Sequence, residues 1–167
     1  RLRTNGTEVT IEAGARLQAR DLDVPGDISS AAFFFVAAAI VPNTKVMVKG
    51  VGLNPTRAGI LELLQAMGVS VEVANVREDW EPAGDVTVSS SSLKGITVAP
   101  EMVPRVIDEL PILMVAATQA QGRTTIQGAG ELRVKETDRI QSMVTNLSAM
   151  GANIRVEGEA IVIEGPT

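Results

Sequence analysis

The sequence predicts an α/β protein built from repeated copies of one β-α-β-α-β-β unit. The 167-residue chain contains an internal repeat, in which both copies carry a Gly-x-Gly turn and a helix that ends in Ala-Met-Gly. Each copy also contains a helix that is apolar on nearly every side and therefore needs cover all round. One unit cannot provide that cover, so several units should pack with their apolar helices at a shared centre and their sheets outside. Two units are few for such an arrangement, and we expect a third.

The first copy spans about residues 15–90, and its elements have local signals. Asp27 is suited to cap an apolar helix, which Pro42 ends. An amphipathic helix with apolar residues at i, i+3, i+4 and i+7 ends at Gly68, where a left-handed cap is favoured. In chain order the predicted elements are a strand near 15–22, a helix at 28–40, a strand at 46–48, a helix through 60–67, and strands at 69–74 and 86–89.

The second copy spans about residues 95–165 and repeats this pattern. Pro111 suits the first turn of its apolar helix. Gly151 takes the place of Gly68, and Gly158 marks the closing hairpin. The predicted elements are a strand near 95–98, a helix from about 111 to 120, a strand at 124–126, a helix through 140–147, and strands at 153–156 and 160–163.

Composition excludes several classes of function. The chain has no cysteine and no histidine, which removes thiolate nucleophiles, disulfides, ordinary zinc sites and Ser-His-Asp catalysis. Acid–base chemistry must therefore use Asp, Glu or Lys, or water held by Arg. A net charge of −5 and an aromatic content of 2% argue against a nucleic-acid partner.

Hydropathy predicts neither a membrane span nor a secretion signal. The longest apolar run, residues 31–41, is shorter than the roughly 18 residues that a helix needs to cross a bilayer. Residues 1–6 lack the apolar core of a signal peptide. We therefore expect a cytoplasmic protein with no membrane partner. The missing initiator methionine suggests that the chain was processed or cut from a longer protein.

The densest charge cluster, residues 131–139, has two interpretations. It is either the solvated start of a helix, with i, i+4 pairs such as Glu131 with Lys135, or an anion site at a helix N-terminus. The second interpretation is supported by the repeat, because the matching stretch 53–56 is mostly uncharged. The fold alone therefore does not require these charged residues, which favours a functional role for them.

A pair of carboxylates, Asp108 and Glu109, precedes the second apolar helix, as Asp27 precedes the first. They are either N-caps or a carboxylate at the mouth of a cleft, where it could act as a base. The two Gly-x-Gly turns lack the third glycine of a dinucleotide fingerprint, and a turn geometry shared by the repeats explains them.

Three segments carry a resemblance to a known family. They read Val-Pro-Gly-Asp-Ile-Ser-Ser-Ala at 24–31, Asp-Glu-Leu-Pro at 108–111 and Leu-Arg-Val-Lys-Glu-Thr-Asp-Arg-Ile at 132–140. Together, and in this order, they resemble the 5-enolpyruvylshikimate-3-phosphate (EPSP) synthases. The resemblance extends from about residue 20 to residue 163, and its most specific part is the Arg-Val-Lys-Glu-Thr-Asp-Arg run.

The resemblance implies a fold and an activity. Enzymes of this family have the enolpyruvyl transferase fold, an inside-out α/β barrel, with two lobes of three βαβαββ units around buried parallel helices. They transfer the enolpyruvyl group of phosphoenolpyruvate to the 5-hydroxyl of shikimate 3-phosphate and release phosphate. They serve aromatic amino-acid biosynthesis, need no metal or cofactor, and are the target of glyphosate. Residues 1–23 would be the tail of the preceding lobe, and residues 24–167 most of the second lobe.

The resemblance also implies roles for individual residues. Asp108 would hold the 5-hydroxyl and act as its base, and Glu136 would protonate the methylene carbon of phosphoenolpyruvate. Lys135 would contact the bridging oxygen and phosphate, and Arg139 would clamp the substrate carboxylate through its bidentate fork. Two further residues are possible contacts: Asp27, and Glu131, which stands where many members have Asn.

Two alternatives remain at this point. The chain could resemble the enolpyruvyl transferase that acts on UDP-N-acetylglucosamine, which shares the fold but usually relies on a loop cysteine. It could instead be a non-catalytic module that pairs with a complementary chain. The substrate-binding Lys, Ser and Arg residues of the family's N-terminal part have no match here. We therefore expect the remainder of a synthase to be the partner and the chain alone to have negligible activity.

Overall fold

The computed structural model describes residues 2–14, 16, 18–78 and 80–167. An exposed hairpin of β1 (Leu2–Asn5) and β2 (Glu8–Ile11) comes first. The remaining elements are α1 (Ile28–Ile40), β3 (Lys45–Gly52), α2 (Gly59–Ala66), β4 (Ser70–Glu78), β5 (Pro82–Ser89), β6 (Thr97–Val98), α3 (Leu110–Thr118), β7 (Gly122–Ile126), α4 (Arg139–Ala149), β8 (Asn153–Glu157) and β9 (Ala160–Gly165). The predicted helices and hairpin strands are confirmed, with bounds that differ by a few residues.

Local signals explain the ends of these elements. The Asp27 carboxylate accepts hydrogen bonds from the backbone N–H groups of Ser29 and Ser30, so it caps α1 as predicted. Gly68 and Gly151 follow α2 and α4 with φ of 92° and 96°, the left-handed conformation in which glycine carries no steric penalty.

The two sheets have the same internal order. One runs β3-β5-β4 and the other β6-β7-β9-β8, and in both the last hairpin strand lies between the other two antiparallel strands. In the second sheet β6 adds a parallel edge beside β7. The corresponding parallel pairing in the first sheet is a single bridge from Gly26 to Val51.

The strand predicted near residues 15–22 is wrong for the described part of that range. Residues 16 and 18–22 are exposed and form no strand, while Ala15 and Leu17 lie outside the described residues. Gly26 takes the place of the predicted leading strand. Its N–H donates to the Gly50 carbonyl and its carbonyl accepts from the Gly52 N–H, both at 2.8 Å. The ladder stays short because Pro25 has no N–H to donate and Asp27 already begins the cap of α1.

The core lies around the two apolar helices. α1 packs against α3, and their first turns meet at the hydrogen bond between Ser29 and Glu109, so the two helices run in the same direction. α3 is buried more fully, with Leu110, Leu113 and Met114 sealed from solvent.

α1 is not buried on every side, which corrects the prediction made from its composition. Phe33 and Phe34 are 57% and 61% exposed, on the face opposite the buried Phe35. No described element covers this face. With one neighbouring helix packed against it, an apolar helix keeps part of its surface exposed. This agrees with the expectation that two units are too few.

Asp85 in the middle strand β5 stabilises a bulge in each neighbouring strand. The register shifts between Val48 and Val51 on one side and between Ala74 and Arg77 on the other. At these points Gly50 and Asn75 have φ of 63° and 51°. The Asp85 carboxylate accepts hydrogen bonds from the Gly50 N–H and the Asn75 side-chain amide, both at 2.9 Å. These two bonds lower the pKa of Asp85 below its ordinary value.

Two 3₁₀ segments, Pro100–Arg105 and Ala129–Val134, were not predicted. The second contains the start of the charge cluster, so α4 begins only at Arg139, with Asp138 as its cap. Among the residues that the structure describes, none of the helices is long and apolar enough to cross a bilayer.

Candidate active site

Arg139 joins the two carboxylates to which the family resemblance assigns catalytic roles. Its Nη1 lies 3.2 Å from Asp108 Oδ1, and its Nη2 lies 3.0 Å from Glu136 Oε2. One guanidinium group therefore holds two acids that are 28 positions apart in the chain. Three of the predicted site residues are in direct contact.

Helix starts bring these residues together. Asp108 lies in the turn that leads into α3, and Arg139 is the first residue of α4. α3 and α4 pack on one another, and the hydrogen bond from Arg139 to Asp108 shows that their starts are neighbours. Arg139 itself is fixed at the helix start because Asp138 accepts the Gln141 N–H at 2.9 Å.

A close backbone approach beside the site depends on Gly128. Gly128 has a φ of 70°, and a Cβ there would lie 2.8 Å from the Pro100 Cβ. Only glycine fits this position without displacing its neighbour. The contact places the 129–134 segment against the 100–105 segment, and these two segments lead to Lys135 and to Asp108, respectively.

Mutual contacts favour the charged forms of Arg139 and Glu136. The hydrogen bonds that Arg139 donates to Glu136 and Asp108 raise its pKa. The pKa of Glu136 is lowered first by its own backbone N–H and then by Arg139. In this arrangement Glu136 is a carboxylate and cannot yet donate a proton.

Lys135 lies beside this group without being part of the same ion pair. Its Nζ is 3.4 Å from Glu131 Oε1, the i, i+4 pair that the sequence predicts. Arg133 pairs with Asp138 at 3.3 Å. The charge cluster is therefore both internally paired and located at the start of α4.

Asp27 lies apart from the Arg139 group. It accepts two backbone N–H groups and the Ser30 hydroxyl, and the bond from that hydroxyl is the main reason that its pKa falls below the ordinary value. Its observed contacts are those of a cap, with Arg57 3.9 Å away. By contrast, Glu109 occupies the N-cap position of α3 but its side chain makes no capping hydrogen bond, so the side-chain cap predicted for this pair is absent.

Glu109 is a buried acid to which sequence reasoning gave no separate role. It is only 2% exposed, and its carboxylate accepts a hydrogen bond from the Ser29 hydroxyl. Burial raises the pKa of Glu109, against the opposing effect of the Ser29 bond. The signal in the sequence is an acid directly before an apolar helix, but its partner is 80 residues away.

The described residues hold no cluster of three or more His, Cys, Asp or Glu side chains arranged to bind a metal ion. The side chains of the group themselves offer two kinds of chemistry: proton transfer by two carboxylates, and binding of anions by Arg139 and Lys135.

The fold is that of the enolpyruvyl transferases. The chain superposes on a solved EPSP synthase from Acinetobacter baumannii with a TM-score of 0.93 and 44% identity, covering 99% of this chain and 38% of that one. The fold is shared more distantly by the enolpyruvyl transferase NikO from Streptomyces tendae, with a TM-score of 0.63 and 20% identity over 87% of this chain and 31% of that one.

The particular family follows from the sequence match. The family model described as EPSP synthase (3-phosphoshikimate 1-carboxyvinyltransferase) matches residues 1–167, and the chain belongs to this family. A 3-phosphoshikimate 1-carboxyvinyltransferase of Geobacter sulfurreducens is 54% identical over 166 residues, which are 99% of this chain and 39% of that protein. One from Geobacillus kaustophilus is 48% identical over 164 residues, 98% of this chain and 38% of that protein. The chain thus spans about two fifths of the length of these relatives.

Proposed function

We propose that this chain supplies one side of an active site that transfers the carboxyvinyl group of phosphoenolpyruvate to the 5-hydroxyl of shikimate 3-phosphate. The observation that carries the proposal is the Arg139 guanidinium between Asp108 and Glu136. Two acids and an anion-binding cation are what addition and elimination on a carboxylated enol phosphate require. Membership of the EPSP synthase family supports the same reaction.

The domain assignment is part of this proposal. Residues 1–23 would end one lobe, and residues 24–167 would form most of the other, with repeats at about 15–90 and 95–165. The remainder of a synthase would complete the cleft. The exposed Phe33 and Phe34 support this, since a further unit would cover them. We place the reaction in the cytoplasm, as part of aromatic amino-acid biosynthesis.

The addition step assigns one proton to each acid. Asp108 accepts the proton of the 5-hydroxyl while the oxygen of that hydroxyl forms a bond to C2 of phosphoenolpyruvate. Glu136 delivers a proton to C3, which becomes a methyl group. In the elimination step Glu136 takes a proton back from that methyl group, the C2=C3 double bond forms again and the C2–O bond to phosphate breaks. The departing phosphate takes the proton that Asp108 holds, so both acids return to their starting states. Lys135 stabilises the negative charge on the departing phosphate.

Substrate binding itself would prepare Glu136 as an acid. A substrate carboxylate on Arg139 competes with Glu136 for the same guanidinium. Once Glu136 loses that bond, one of the causes that lower its pKa disappears and its pKa rises. This change favours the protonated form of Glu136, from which the addition step would take its proton. Glu131 would act by holding Lys135, and Asp27 through the cap of α1.

A chimeric enzyme tests the proposal. Residues 1–167 replace the matched segment of the Geobacter sulfurreducens relative, and phosphate release from phosphoenolpyruvate is measured with and without shikimate 3-phosphate. We expect turnover that requires both substrates and is lost in D108A and E136Q. The 167-residue chain alone should show none, since the other side of the cleft is not supplied. Equal turnover in the chimera and in D108A would overturn the proposal.

A further inference from the structure

Glu109 lies at a junction of three elements. It directly precedes the first turn of α3, and its carboxylate accepts a hydrogen bond from the hydroxyl of Ser29, in the first turn of α1. The Ser29 oxygen in turn accepts a hydrogen bond from Arg57 Nη2 at 3.0 Å, and Arg57 precedes α2. Ser29 therefore uses its donor and its acceptor capacity at once, and ties the start of α3 to the other repeat unit.

Three hydrogen bonds fix the position of Glu109. Its backbone N–H donates to the Val106 carbonyl at 3.0 Å, and its own carbonyl accepts from the Leu113 N–H at 2.9 Å. The side chain adds the third restraint through Ser29. Asp108 shares a peptide unit with this restrained residue, and its side chain reaches to the other side, to Arg139.

A carboxylate at this buried place has a cost that packing alone does not justify. Removing an acid from water is unfavourable unless charge and hydrogen bonds compensate. The groups that face Glu109 are Ser29 and Arg57, while Asp108 repels it and Asp27 lies next to Arg57. Glu109 makes no capping bond that would explain its presence at the start of α3. What accounts for Glu109 at this position is that it restrains the neighbouring Asp108.

We propose that Glu109 is a positioning residue, whose bond to Ser29 fixes the turn that presents Asp108 to Arg139 and to the substrate hydroxyl. This inference rests on the proposed function, in which Asp108 is the base. Glu109 touches neither substrate nor reacting atoms. It affects the reaction only by orienting Asp108.

The test uses the chimera described above with the variants E109A, E109Q and S29A. We expect E109A to lower kcat by about 10-fold to 100-fold, the scale that misplacement of a catalytic group by about 1 Å produces. The KM for phosphoenolpyruvate should change by less than about threefold, because Arg139 remains in place. E109Q keeps an acceptor oxygen for Ser29 and should recover most of the lost kcat. S29A should resemble E109A, and the double variant should be no worse than E109A alone.

T118V is the matched control. Thr118 is also a buried polar residue of α3, but it lies at the far end of the helix and donates to the Val115 carbonyl at 2.8 Å. A purely structural role for Glu109 predicts that E109A and T118V lower the thermal midpoint alike and leave kcat unchanged. That pattern, or additive effects of S29A and E109A, would overturn the inference.

The geometry provides a second readout that does not depend on turnover. A crystal structure of E109A in the chimera should show the Asp108–Arg139 contact lengthened beyond hydrogen-bond distance, whereas T118V should retain it. An inactive parent chimera would count against the proposed function alone. An unchanged Asp108–Arg139 contact in E109A would count against the positioning role alone.

Discussion

Replacing Arg139 with lysine tests the carboxylate clamp. Arg139 uses two different nitrogens to hold Asp108 and Glu136, and in the proposed complex the same planar fork binds the carboxylate of phosphoenolpyruvate. Lysine keeps the positive charge but offers a compact ammonium on a flexible stem. R139K therefore loses the bidentate contact while the net charge of the site is unchanged.

The size of the expected rise in KM follows from the one charge-assisted hydrogen bond that lysine cannot replace. Such a bond contributes about 1.5–3 kcal/mol, which corresponds to roughly 10-fold to 150-fold in affinity. The Arg139 side chain is 29% exposed, so solvent screens this bond only in part. We expect the KM for phosphoenolpyruvate to rise within that range and the KM for shikimate 3-phosphate to change much less.

Steady-state phosphate release by the chimera measures both constants, and R155K is the control. Arg155 also bridges two carboxylates, with Nε 2.7 Å from Glu157 and Nη2 2.8 Å from Glu164, but it lies on the β8–β9 hairpin. R155K makes the same chemical change at another place and should leave both KM values unaltered. If R139K raises the KM for phosphoenolpyruvate no more than R155K does, Arg139 is not the clamp.

Four other predictions concern stability, pH and association. D27A should lower the free energy of unfolding in urea by about 0.5–2 kcal/mol, while D27S retains most of the cap. D85A should speed hydrogen exchange of the Gly50 amide, whose acceptor it removes; protection equal to that of the parent would contradict this. Because the pKa of Asp85 is lower in the folded chain than its ordinary 3.8, its contribution is present above that pH and fades below it, so D85N should flatten the acid limb of stability against pH. The double variant F33S/F34S should reduce self-association of the 167-residue chain in sedimentation velocity, and undiminished association would show that the α1 face is not responsible.

The sequence predicted those features whose causes are local. The cap at Asp27, the helix ends at Gly68 and Gly151, and the two hairpins depend on residues within a few positions of each other. The internal repeat extended these local predictions to a topology, and both sheets have the same strand order. The Arg-Val-Lys-Glu-Thr-Asp-Arg run led to Arg139, the residue that joins the two acids in space.

The features that the sequence did not predict depend on distant partners. The leading strand of the first unit was misplaced because Gly26 is paired by a strand about 25 residues later, and a single bridge leaves no pattern of alternation. The exposure of Phe33 and Phe34 depends on which elements surround α1, and this cannot be read from the helix itself. Glu109 was left without a role because its burial and its bond to Ser29 exist only in the folded chain.

The measurement that tests the central claim most directly is phosphate release by the chimera that carries residues 1–167 in place of the matched segment of the Geobacter sulfurreducens relative. The parent should turn over only when phosphoenolpyruvate and shikimate 3-phosphate are both present, and D108A and E136Q should each abolish that turnover while R155K retains it. A folded chimera whose turnover survives D108A or E136Q would contradict the claim that the Asp108–Arg139–Glu136 group is the catalytic centre.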